Sequence, residues 1–205
     1  MNLALFDFDG TIATRETFRD FMYHAVEPRR LARGRMLLAP LIAGYKVGLI
    51  SGVVARAAIV KFGFTGVPLA IVERHGIAFA RTVLPPIIRT EAIERIAWHK
   101  NRGDTVAVVS GALDVYLRPW CRQQDIGLVA SSLEQRDGIL TGYYRGHQCV
   151  REEKVRRIKE AFDLPMYDRI YAYGDTRDDL PFLALANERY YRWRPMPVDG
   201  RYLGS

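Results

Sequence analysis

Three short stretches of the chain end in residues that can do chemistry. Asp7-Phe8-Asp9-Gly10-Thr11 sets two carboxylates one residue apart. Val109-Ser110-Gly111 offers a hydroxyl, and Gly174-Asp175-Thr176-Arg177-Asp178-Asp179 offers three more carboxylates. Lys154 lies between the second and third stretches. Carboxylates serve as nucleophiles and as proton donors or acceptors, whereas a hydroxyl and an ammonium grip an anion. Carboxylates gathered in one place repel one another unless a cation intervenes. The set therefore points to work on a charged group with a cation at hand. Each residue also has an ordinary reading. Asp9 before Gly10 suits a turn, Asp178 and Asp179 suit a helix N-terminus, Ser110 suits an N-cap, and Lys154 could be a solvated helix lysine with Lys159 as the substitute.

Such residues work together only if the fold brings the stretches to one place. Asn2–Phe8, Thr105–Val109, Gly127–Ala130 and Arg169–Tyr173 read as short buried strands, and Glu188–Trp193 as a fifth. Helical patterns separate them, at Ile87–Lys100 with Ile88, Ile93, Ile96 and Ala97 on the apolar face, and at Glu152–Phe162. Ser110-Gly111 is expected to open a helix, and Leu133–Tyr144 to form a hairpin about Asp137-Gly138. Thr17 to about Arg81 reads as helical, with breaks near Pro28, Pro40, Gly48–Gly52 and Gly63–Pro68. Strands alternating with helices imply an α/β fold: a Rossmann-like parallel sheet with an inserted α-helical cap. In such sheets ligands bind beyond the carboxyl ends of the strands, where all three polar stretches lie.

In this order and at these positions the stretches resemble the motifs of the haloacid dehalogenase superfamily. Asp7-Phe8-Asp9-Gly10-Thr11 is similar to the first motif, Val109-Ser110-Gly111 to the second, Lys154 to the third and Gly174–Asp179 to the fourth. The resemblance implies a catalytic core over residues 1–14 and 85–205 and a cap over 15–84. It also implies a phosphomonoester hydrolase, and phosphoryl transfer has matching needs: a nucleophile, a proton donor and cations around the migrating group. Asp7 would be the nucleophile and form an aspartyl-phosphate, and Asp9 the general acid and base. Ser110, Gly111 and Lys154 would hold the phosphate. Mg²⁺ would bind Asp7, Asp175, the Asp9 carbonyl and, directly or through water, Asp179.

The small helical insert resembles that of the phosphoserine-phosphatase-like branch. Glu16 stands where that branch places a carboxylate for a substrate amine. Arg56 is near the arginine expected to bind a substrate carboxylate but out of register, and Asp178 replaces an asparagine typical there. The insert is also similar to that of bacterial phosphatases related to phosphatidylglycerophosphatase C, as are Cys149 and Lys154-Val155. Two substrate expectations stay open: a small phosphorylated metabolite such as phosphoserine or a related amine phosphate, or a lipid phosphate met at an anionic membrane. A binding module without turnover is disfavoured by the complete set Asp7, Asp9, Lys154 and Asp175. A dehalogenase would not need Asp9 or a metal.

Charge sharpens the second expectation. Of the net +7, all lies between Pro28 and Val72, which hold Arg29, Arg30, Arg33, Arg35, Lys46, Arg56 and Lys61 and no acid; the remaining 160 residues carry 23 charges of each sign. A nucleic-acid partner would call for basic residues spread over a face, so none is expected. Met36–Ala55 is apolar but interrupted by Pro40, Lys46 and three glycines, and reads as a buried or interfacial helical pair. Cys121 and Cys149 show no metal or disulfide spacing, and the first residues lack the pattern of a signal peptide. A cytoplasmic location is expected, with membrane association as the variant. The histidines His24, His75, His99 and His147 read as surface or capping groups, and Tyr190–Trp193 as an edge strand and tail. Oligomeric state has no signal in the sequence.

Overall fold

The computed structural model describes residues 1–197. Among these the chain runs β1 (Leu3–Phe6), α1 (Phe18–Ala25), α2 (Pro28–Leu37), α3 (Ala39–Lys46), α4 (Gly52–Phe64), α5 (Leu69–Thr82), α6 (Thr90–Asn101), β2 (Thr105–Leu113), α7 (Asp114–Gln124), β3 (Gly127–Ser131), β4 (Leu133–Arg136), β5 (Ile139–Tyr144), α8 (Glu152–Ala161), β6 (Ile170–Gly174), α9 (Leu180–Leu183), β7 (Glu188–Tyr191) and β8 (Arg194–Met196). The main sheet has the order β3-β2-β1-β6-β7-β8. Its pairs are parallel except the last, where β8 turns back antiparallel on β7 through Arg192 and Trp193, both at positive φ.

The alternation along each central strand shows why the sheet is covered on both faces. Ala4 and Phe6 of β1, Val106 and Val108 of β2, and Tyr171 and Tyr173 of β6 join one apolar cluster. Leu3 and Leu5, Ala107 and Val109, and Ile170 and Ala172 join the other. Runs that are apolar on both faces can lie only between helical layers.

Several local expectations are corrected. The helix read as Ile87–Lys100 starts at Thr90, because Pro85–Ile87 forms a separate 3-10 turn. Its inward face carries Ala92, Ile96 and His99, while Ala97 is exposed. His99 is fully buried and is no surface group: Nδ1 pairs with Asp104 Oδ2 at 2.8 Å and Nε2 with the Tyr173 hydroxyl at 2.9 Å, so neither ring nitrogen is orphaned. Ser110-Gly111 does not open a helix; β2 continues to Leu113 and α7 starts at Asp114. The break expected near Pro40 is present, at Leu38, and Pro40 itself sits in the first turn of α3, where a missing N–H costs nothing.

Helices α1 to α5 lie in sequence between β1 and β2. They do not stand apart from the rest. The β4–β5 hairpin, closed by Asp137 and Gly138 at positive φ as its Asp-Gly turn requires, reaches up to the α4–α5 loop. Backbone bonds join the two: Gly66 N–H to Leu140 O, Leu140 N–H to Val67 O and Leu69 N–H to Gly138 O, at 2.8–2.9 Å. Among the described residues no helix is long and apolar enough to cross a membrane, since Met36–Ala55 is divided among α2, α3 and α4.

Candidate active site

The register of the sheet gathers the polar stretches. Phe6 pairs with Val108 on one side and Tyr173 on the other, so Asp7 emerges just past the last paired residues, its N–H donating to Tyr173 O at 2.8 Å. Asp175 follows the end of β6, and Ser110 lies within β2, two residues beyond the Val108 that pairs with Phe6. Asp7, Asp175 and Asp179 each present an oxygen to one small volume, with these atoms all within 4.8 Å of one another. Lys154, in the first turn of α8, is buried between them: Nζ donates to Asp7 Oδ1 at 2.6 Å and to Asp179 Oδ1 at 2.7 Å.

The loop geometry follows from the glycines. Gly10 is at φ +82°, and a Cβ there would lie 2.1 Å from Asp175 Oδ2, so only glycine lets the first loop approach the fourth motif. Gly174 has the same role toward Asp179, whose Cβ would lie 2.7 Å from an added one. Thr176 and Asp179 form a reciprocal cap at the start of the short helix over 177–179, the Asp179 carboxylate accepting from the N–H of Thr176 at 3.0 Å.

Burial sets the electrostatics. It pushes Asp7 well above the ordinary carboxyl range; Lys154 pulls it back, while Asp179 and Asp9 add to the rise. Asp175 is raised by burial and by Asp179. Asp179 is pushed up by burial, yet Lys154 and the Thr176 bonds hold it net below its usual value. Burial disfavours the Lys154 ammonium, but Asp7 and Asp179 more than restore it, so it stays charged. Three clustered carboxylates, Asp7 and Asp179 buried and Asp175 half-buried, face one ammonium, a deficit of positive charge. The donors are all oxygens, which suits a hard divalent cation such as Mg²⁺.

Asp9 turns away from this cluster. Its Oδ1 accepts from the Thr17 hydroxyl at 2.6 Å and the Thr17 N–H at 3.0 Å, and the same hydroxyl lies 2.9 Å from the Tyr116 hydroxyl. Burial raises its pKa to about 7, against the lowering by the Thr17 bonds and with a small rise from Glu16. Sequence reasoning did not single out Thr17 or Tyr116. Thr17 looked like an ordinary helix start, and Tyr116 sits 99 positions away with no local signal.

The remaining candidates are spread around this centre. Ser110 is buried, its Oγ accepting from Ala112 N–H at 3.1 Å. Gly111 faces Val150, and its carbonyl accepts from Ser131 Oγ at 2.9 Å. Glu16 is exposed at the rim near Asp9. Arg56 is not drawn into the cluster: from α4 it donates through Nε to Gln148 Oε1 at 2.9 Å, and Gln148 Nε2 donates back to Val53 O at 2.7 Å. Asp178 points outward to an ion pair with Arg151 at 2.8 Å. Trp193, read as part of a tail, packs near Phe6 and donates to Thr11 O at 3.2 Å, bracing the first loop from behind.

The family model for haloacid dehalogenase-like hydrolases matches residues 4–184. The chain belongs to this family. As a haloacid dehalogenase-like hydrolase it is 30% identical over 192 residues to Protein CicA of Caulobacter vibrioides, covering 93% of this chain and 85% of that one. It is 27% identical to a histidinol-phosphatase of Neisseria meningitidis serogroup C, covering 91% and 88%. Among solved structures it is similar to a Bordetella pertussis Tohama I protein, with TM-score 0.75, 25% identity and 93% and 89% coverage. A phosphoserine phosphatase has the same fold, with TM-score 0.64, 24% identity and 92% and 85% coverage.

Proposed function

We propose that the chain is a Mg²⁺-dependent phosphomonoester hydrolase that works through an aspartyl-phosphate on Asp7. The observation that carries the reading is the division of labour between the two acids of the first loop. Asp7 is fixed by Lys154 in the carboxylate cluster, whereas Asp9 is held out of it by Thr17 with a pKa of about 7. A group poised near neutral pH is suited to giving and taking a proton.

In the first step Asp7 attacks phosphorus with the oxygen that Lys154 does not hold. The bond from phosphorus to the leaving oxygen breaks, and Asp9 supplies that oxygen's proton. In the second step Asp9 takes a proton from water. The water oxygen bonds to phosphorus, and the bond to Asp7 breaks to release phosphate. Lys154, Ser110 and the N–H groups near Gly111 hold the phosphoryl oxygens. Mg²⁺, held by Asp7, Asp175, the Asp9 carbonyl and Asp179 directly or through water, would neutralise the clustered carboxylates and the charge of the phosphate.

The substrate that best suits the rim is a small amine-bearing phosphate. Glu16 is exposed beside Asp9 and free to meet an ammonium, and Arg56 stands on the cap side to meet an anionic substituent. The Neisseria relative is a histidinol-phosphatase, an activity of the same class. A lipid phosphate is the second reading, favoured by the exposed apolar side chains of the cap. The domain division at 15–84, supported by the placement of α1 to α5 between β1 and β2, and a cytoplasmic location, supported by the buried free thiols Cys121 and Cys149, belong to this proposal.

The test is hydrolysis of p-nitrophenyl phosphate with Mg²⁺ and with EDTA, by the wild type and by Asp7→Asn. Turnover should need Mg²⁺ and vanish in Asp7→Asn. Equal rates in EDTA would sink the metal, and a variant with most of its activity would sink the nucleophile. Phosphate release from phosphoserine, histidinol phosphate and a phosphatidylglycerophosphate micelle then separates the two substrate readings.

A further inference from the structure

Helix α3 has a mostly apolar sequence, APLIAGYK, yet buries none of its residues, and α2 before it buries only Gly34. Around them Met36 is 74% exposed, Leu37 64%, Val47 71% and Leu49 83%. This corner is not frayed chain. The segment after α3 folds back on it, with the N–H groups of Leu49 and Ile50 donating to Gly44 O at 2.9 and 3.2 Å, and Ile50 packs against Gly44. Ordered backbone thus holds four aliphatic side chains out in water, which a chain with a core to fill does not do without a partner surface.

The same corner is basic. Arg29, Arg33, Arg35 and Lys46 are exposed and have no ion pair among the described residues, whereas Arg30 is spent on Gly63 O and Thr65 O. From Pro28 to Val72 the sequence holds no acid that could neutralise them. A polyanion such as nucleic acid would match the cations and leave the aliphatic side chains in water. A second copy related by a twofold axis would bury the aliphatic groups and set like cations against one another. Apolar side chains rimmed by unpaired cations on short helices match the interface of a lipid bilayer.

We infer that the α2–α3 corner of the cap docks on an anionic bilayer surface. Met36, Leu37, Val47 and Leu49 enter the boundary between headgroups and acyl chains, and Arg29, Arg33, Arg35 and Lys46 lie against the lipid phosphates. The docking is peripheral, because no described helix is long and apolar enough to cross. It stands apart from the proposed chemistry, and its test needs no turnover.

The experiment is co-sedimentation of the full chain with vesicles of phosphatidylcholine, with and without 30% phosphatidylglycerol as an illustrative mixture, in about 50 mM and about 500 mM salt. Binding should appear on the anionic vesicles at low salt. It should fall at least about ten-fold on neutral vesicles or at high salt, where screening shortens the reach of charge. Val47→Asp with Leu49→Asp, and separately Arg33→Glu with Arg35→Glu, should each weaken it by about ten-fold or more. Both pairs are exposed, and a melting temperature equal to that of the wild type serves as the folding control. Absence of binding at low salt overturns the proposal, as does binding that both pairs leave unchanged. A wild-type dimer that Leu49→Asp dissolves, with no vesicle binding, assigns the corner to a second copy and overturns it too.

Discussion

The mouth of the sheet and the outer corner of the cap treat charge in opposite ways. At the mouth, Lys154 is buried and spends its ammonium on two carboxylates, Asp179 is tied to Thr176, and Asp9 to Thr17. At the corner, Arg29, Arg33, Arg35 and Lys46 are exposed and have no ion pair among the described residues, beside aliphatic side chains that are also exposed. The difference lies in the cost of burial. A buried charge without a partner costs several kcal/mol, on the order of the whole margin of stability, so the mouth must be a closed network. A charge in water costs the fold almost nothing, so the corner's composition is free to answer to something outside the chain.

Four measurements would break or sharpen this contrast. The largest effect belongs to Lys154→Met, which leaves Asp7 and Asp179 facing each other without their ammonium. Breaking a buried pair costs about 3–5 kcal/mol, and the variant should also lose at least about 100-fold in turnover. A melting temperature and a rate close to wild type would show that the cluster tolerates its own repulsion. Thr17→Val should come next. It removes a bond to a charged group worth about 1.5–3 kcal/mol, so kcat should fall about ten- to hundred-fold. Because the Thr17 bonds lower the Asp9 pKa, the group near 7 in the pH–rate profile should move upward; an unmoved profile would detach Asp9 from that limb.

The third concerns stability alone. Burial outweighs the Asp104 partner and holds His99 below its ordinary pKa of 6.5, so the folded protein keeps the ring neutral where the unfolded chain takes a proton. The contribution is complete above about pH 6.5 and declines as pH falls through that value toward the depressed folded one. Urea unfolding at pH 7.5 and 5.5 should show the loss, and His99→Gln should flatten it. The smallest effect is expected at the corner: Leu49→Asp should change hydrolysis of a soluble substrate by less than about two-fold. A large loss would mean that the corner belongs to the site after all.

The parts of the site that were legible in the sequence follow runs of buried apolar residues. Asp7 and Asp175 lie just past the ends of β1 and β6, Ser110 lies within β2 after such a run, and a parallel sheet must bring these positions together. Lys154 was legible from its place in the motif order. Thr17 and Tyr116 were not, because nothing in a helix-start threonine or a helical tyrosine marks a partner that is distant in sequence. His99 was misread for a similar reason. A histidine on an apolar helix face enters a core only if both nitrogens are met, and Asp104 and Tyr173 come from other elements. The start of the helix after Ser110 was also misplaced, since the extension of β2 to Leu113 is set by pairing with β3.

The sequence by itself determined the layered α/β plan, the helical insert and its unbalanced charge, because these follow from local periodicity and composition. It also named the carboxylates and the lysine at the centre. Only the tertiary structure decided how the acids divide: Asp7 into the cluster with Lys154, Asp9 out to Thr17, and Asp178 away to Arg151. It also decided that Met36, Leu37, Val47 and Leu49 of the cap's apolar run stay in water instead of closing on a core. Both depend on which distant groups are within a few ångströms, and hydrogen bonding and burial act over that distance whatever the separation along the chain.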